Sequence, residues 1–137
     1  MLLLVVMSDN FHTHDRGRDH VHGLLSRNWI VSVIMHGKDD YLKIHKPHSE
    51  KSYTIKVKAL SKIAPVPFHT RSPDSINADF LTICRNLESG KPEIFTATMD
   101  EVKKAIHEKD GEFWLETKDY EKFQRDFQKI EREYLEF

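Results

Sequence analysis

Asp39, Asp40, Lys56 and Lys58 have the residue types and the spacing to handle a phosphate group. The acidic pair opens one predicted strand, and the two lysines stand near the end of the next. Carboxylates suit Mg²⁺, which prefers oxygen ligands and water. A nearby ammonium stabilises the charge that builds on a phosphate under attack, and a bound metal activates the attacking water. Asp40 at one strand start, with Lys58 on the polar face of the adjacent strand, meets part of that need. A second carboxylate is expected two residues before the lysine, because a period of two puts that position on the same face.

The elements that must position these residues follow from periodicity. Residues 41–46 and 52–60 read as a hairpin closed by the polar turn at 47–51. In its second strand Tyr53, Ile55 and Val57 alternate with Thr54, Lys56 and Lys58, one face apolar and one polar. Upstream, Val21, Leu24 and Leu25 mark a short helix over 17–27, which Asn28 stops. Trp29 to Met35 is rich in β-branched and aromatic residues and reads as a buried strand. Downstream, Pro65, Pro67 and Pro73 make 61–76 a long irregular loop; with Lys62, His69 and Arg71 it reads either as a segment that approaches a nucleic-acid backbone or as a solvated connection. Strands at 78–84 and 93–97 flank a turn at 88–92. Thr98 and Glu101 form a capping box for a helix that runs to about Lys109, and 113–116 is short and extended. From Lys118 onward, Tyr120, Phe123, Phe127, Ile130 and Tyr134 step by three or four, which predicts a long amphipathic C-terminal helix. Strands run together and helices follow, so the fold class is α+β, a mixed sheet with helices packed against it.

With these elements in place the chain resembles the restriction-endonuclease-like, PD-(D/E)XK nuclease superfamily, especially its small resolvase-like members. The likeness rests on the helix and Leu24-Leu25-Ser26-Arg27-Asn28-Trp29-Ile30-Val31, on Asp40-Tyr41-Leu42, and on Tyr53-Thr54-Ile55-Lys56-Val57-Lys58. It continues through Asp79-Phe80-Leu81-Thr82-Ile83 and the capped helix after Pro92-Glu93-Ile94-Phe95, so it covers about residues 17–108. It implies a metal-dependent DNA endonuclease using Mg²⁺ (Mn²⁺ as substitute), with Asp40 and an acid on the first helix, Asp19, as metal ligands. It makes Asp40, Lys56 and Lys58 the catalytic positions; Lys56, with Lys62 and Arg71 of the loop, supplies the candidate contacts to nucleic acid. The departure is Lys56, where the superfamily carries glutamate or glutamine. A second ammonium there repels a dication by on the order of several kcal/mol in a poorly solvated site. Either the missing ligand comes from Asp19, Asp39 or Glu50, or the chain is a non-catalytic nucleic-acid-binding or assembly module, since lysines grip phosphate without metal.

Composition bounds these readings. At 137 residues, 39% hydrophobic and 31% charged, the chain suits one globular domain with a real core. That domain divides into an N-terminal extension (1–16), a core (17–108) and the C-terminal helix (117–137). The formal net charge of −1 does not advertise a nucleic-acid binder but leaves room for a local basic stripe. Cys84 is the sole cysteine, so no intramolecular disulfide or thiolate zinc cage forms, and a cytoplasmic setting is the default. Residues 1–7 are apolar but lack a basic leader and fall short of the ~20 residues of a span. A short strand, or residues ahead of a start at Met7, is expected there rather than membrane targeting. His12, His14, His20 and His22 match no zinc spacing and read as polar residues, the first two in a loop over 8–18. The C-terminal aromatic stripe is core packing in the simpler reading and a homodimer interface in the sharper one.

Overall fold

A computed structural model describes residues 2–135, with side chains from residue 12 onward. Its α+β architecture is a mixed six-stranded sheet with a layer on each face. The first element, α1 (Leu2–Leu25), is longer than expected and takes in the stretch read as a loop. Val21 and Leu25, buried on one stripe, seat it on the sheet. One turn earlier on that stripe lies Gly17, where a Cβ would come within 2.3 Å of the Ala59 Cβ. The helix approaches the sheet so closely only because glycine has no side chain there.

The chain then runs through β1 (Ile30–His36), β2 (Asp39–His45) and β3 (Ser52–Ala59), three antiparallel strands in sequence order. Gly37, at φ 64°, makes the tight turn between the first two. The expectation of a buried first strand fails. β1 lies at the sheet edge, and Ile30, Val33 and Met35 are exposed. Its composition signalled a strand but could not say how many neighbours it has.

The proline-containing stretch after β3 is more regular than a loop. It holds β4 (Val66–His69) and a 3-10 turn (Pro73–Ser75) before the chain returns as β5 (Phe80–Arg85), parallel to β3. β6 (Glu93–Thr98) follows antiparallel, and Thr98 caps α2 (Met99–Ala105) with the expected capping box. That helix stops four residues early, because 107–109 are recruited into β7 (His107–Lys109). β7 turns at Asp110-Gly111, both at positive φ, into β8 (Glu112–Leu115). The Asp-Gly pair was the sequence signal for this hairpin. β4, β8 and β7 form a second, antiparallel sheet.

The C-terminal helix expected from Lys118 onward is broken into α3 (Thr117–Tyr120), β9 (Gln124–Arg125) and α4 (Gln128–Leu135), with Asp126 at φ 58°. The reason is that the aromatic stripe serves two cores. Tyr120 is buried with Phe95, Leu81, Val66 and Leu115 on one face of the large sheet, whereas Ile130 is buried with Val21, Leu42, Ile44 and Ile55 on the other. To reach both, the chain rounds the edge of β6, pairing there as β9. One straight helix cannot do this. The stripe is thereby spent on the chain's own core. Among the described residues no helix is long and apolar enough to cross a membrane.

Candidate functional site

The start of β2 gathers the charged residues singled out in the sequence, but the pleat divides them. The pairing Leu42↔Ile55 places Tyr41 and Lys56 on one face of the sheet, and Asp40 with Leu42 on the other. Asp39, two residues before Tyr41, belongs to the lysine face. Asp40 and Lys58 therefore lie on opposite faces of the sheet.

Asp40 turns towards α1. Its Oδ2 accepts a hydrogen bond from the Arg18 guanidinium at 2.7 Å, and its Oδ1 lies 2.9 Å from His14 Nε2. His14 and Arg18 continue the helical stripe of Val21 and Leu25 by steps of three and four. Their polar ends meet the carboxylate where the apolar contacts stop. Lys56, almost wholly buried, bends round the strand end: its Nζ donates to the Asp40 main-chain oxygen at 3.1 Å and lies 3.5 Å from Oδ1. Burial by itself raises the Asp40 pKa. The hydrogen bonds from Arg18 and His14, with the charges of His14 and Lys56, outweigh it and hold the carboxyl at about 2.

The lysine face holds the other half. Arg71, delivered by the segment after β4, bonds Asp39 Oδ2 at 2.5 Å and donates to the Tyr41 hydroxyl at 3.1 Å and to the Ser75 Oγ at 3.2 Å. Asp39 Oδ1 is 4.0 Å from Lys56 Nζ. Lys58 lies over the Phe68 ring, 5.1 Å from its centroid. Among the described residues it has no carboxylate in ion-pair range. Burial first, then the charges of Lys56 and Arg71, push its ammonium down to about 8, with Asp39 opposing.

No family model, curated protein or solved structure matches this chain.

Asp19 is exposed and bonds Arg18 at 3.3 Å, so this guanidinium bridges Asp19 and Asp40, the two expected metal ligands. Glu50 belongs to the turn at the opposite end of β2 and cannot join Asp40. Lys62 is exposed on the connection after β3, and no hydrogen bond or ion pair joins it to the cluster. Among the described residues no three His, Cys, Asp or Glu side chains come together to hold a metal ion. This donor set does not fit Mg²⁺: each carboxylate at the start of β2 already faces two or more cationic groups. What the arrangement offers instead is positive charge, with Lys58 as its unneutralised member. Sequence reasoning missed His14 and Arg18, assigned to a loop, and the signal that finds them is the stripe 14, 18, 21, 25.

Proposed function

We propose that this chain is a non-catalytic nucleic-acid-binding module on a restriction-endonuclease-like core, with Lys58, Lys56 and Arg71 forming its phosphate-binding centre. The observation that carries this reading is Lys58. It is a largely buried ammonium beside two further cations, with no carboxylate of its own, and a phosphate oxygen supplies the missing anion. The order of elements supports the core assignment: a helix, three antiparallel strands, then a strand parallel to the third. Lys56 supports the absence of cleavage, because its ammonium lies against Asp40 where a dication would have to bind.

A second reading, a Mg²⁺-dependent endonuclease, is favoured by one feature. Asp39 and Asp40 both approach Lys56, so two carboxylates and a lysine share one strand end. One pair of assays separates the readings. Fluorescence anisotropy with a labelled DNA duplex and its single strand, in EDTA over a salt series, should show salt-dependent binding. Lys58→Ala and Arg71→Ala should each weaken it and lower the salt slope by about one. Supercoiled plasmid should stay intact with Mg²⁺ or Mn²⁺. Nicking that disappears in Asp40→Ala establishes the second reading, and binding indifferent to both cation substitutions rejects the first.

A further inference from the structure

The free edge of the large sheet, β1, presents exposed apolar side chains. Among the described residues the exposed large hydrophobics are Ile30, Val33, Met35, Ile63 and Leu135, and the first three lie on β1. β1 pairs only with β2, and its register runs from Ile30↔His45 to His36↔Asp39 without a bulge. Its outer side is therefore a regular row of backbone donors and acceptors. Proteins blunt such edges with proline, inserted charges, bulges or very short strands. Residues 30–35 (I-V-S-V-I-M) use none of these. The opposite edge does, because β9 is two residues long, carries Arg125 and ends at Asp126.

We propose that β1 is a homodimer interface, in which two copies pair antiparallel across a twofold axis at Val33 and join their large sheets into one. The occupant is a second copy because this strand is complementary to itself. With Val33 on the axis, Val31 lies opposite the partner's Met35 and Met35 opposite the partner's Val31, so one apolar row continues across the junction. No side chain of 30–35 is charged, so the pairing brings no like charges together within it. Exposed Ile30, Val33 and Met35 are covered in the same step, and the unpaired backbone groups gain partners. The pairing uses neither the phosphate-binding centre nor the C-terminal stripe, so it stands or falls independently of the proposed function.

Sedimentation velocity over a concentration series tests the state, and cysteine cross-linking tests the register. The wild-type chain should sediment as a dimer that dissociates on dilution. Val33→Lys should be monomeric throughout, with unchanged circular dichroism and the Tm of the wild-type chain diluted to its monomer, because Val33 is exposed. Under oxidation Val33→Cys should form a disulfide-linked dimer, since directly opposed antiparallel residues have Cα atoms about 4.5–5.5 Å apart, within disulfide range. Met35→Cys should cross-link to itself far less, because its opposite residue is Val31. Buried Cys84 does not compete. A wild-type chain monomeric at every concentration overturns the proposal. So does a dimer that survives Val33→Lys, or one that cross-links more readily through position 35 than through 33.

Discussion

The residue that organises the site is Asp40, and what surrounds it decides what it does. A carboxylate at a strand start is an ordinary metal ligand when it faces water and other oxygens. Here it is 9% exposed and faces His14, Arg18 and Lys56, so its charge ties α1 to the sheet. The sign of its pH dependence follows. A carboxyl held at about 2 instead of the ordinary 3.8 contributes stability that is present above pH 4 and lost as pH falls towards 2. Its size is about 2 kcal/mol. Asp40→Asn should therefore be less stable than wild type by at least about 2 kcal/mol at pH 7, since it also leaves buried Lys56 without its anion. In urea titrations the gap between the two proteins should narrow steadily below pH 4. A gap that stays constant from pH 7 to pH 2.5 would show that the charge of Asp40 is not what the cage responds to.

At the scale of elements, the close seat of α1 on β3 depends on Gly17. Replacing glycine by alanine within a helix ordinarily gains up to about 1 kcal/mol. Here the added methyl would sit 2.3 Å from the Ala59 Cβ, a carbon fixed to the backbone that cannot swing aside. Overpacking of this kind costs about 1–3 kcal/mol, so Gly17→Ala should lower Tm. The double variant Gly17→Ala/Ala59→Gly should recover most of the loss. A rise in Tm for the single variant would mean that the helix is free to lift. The same elements show what was legible in the sequence. The hairpin reading, anchored by period-two alternation in its second strand, located β2 and β3 to within two residues, and Thr98 with Glu101 marked the start of α2. The faces of the site were not legible, because whether Asp39 or Asp40 looks at the lysines depends on register, which one residue reverses. The extent of α1 was missed because His14 and Arg18 extend its stripe with polar atoms. The C-terminal break was missed because a regular stripe of Tyr120, Phe123, Phe127, Ile130 and Tyr134 carries no mark that its members serve opposite faces of a sheet.

At the scale of the whole molecule, that last feature makes the two cores one cooperative unit. β3 and β5 present Ile55, Val57 and Phe80 to the side of α1 and α4, and Lys56, Leu81 and Ile83 to the side of the small sheet. Loss of either layer exposes the back of strands on which the other depends. The C-terminal segment adds a strap: Arg85 pairs with Glu93 and Glu121, and the Tyr120 hydroxyl donates to the Ala64 carbonyl at 2.8 Å before the chain crosses to the opposite core. The two tryptophans report on the two sides separately. Trp29 is buried against Tyr53 and Tyr134 in the α1 layer, and Trp114 stacks on His107 in the small sheet. Trp29→Phe and Trp114→Phe each leave one reporter, and their fluorescence transitions in urea should each coincide with the circular dichroism transition of the same protein, as two-state unfolding requires. Leu115→Ala, at a fully buried position of β8, should cost about 2–5 kcal/mol and move the midpoint seen by Trp29 as far as that seen by Trp114. A Trp114 signal lost well before that of Trp29 would make the small sheet an independently unfolding layer, and the strap through Tyr120 would then not couple the two faces.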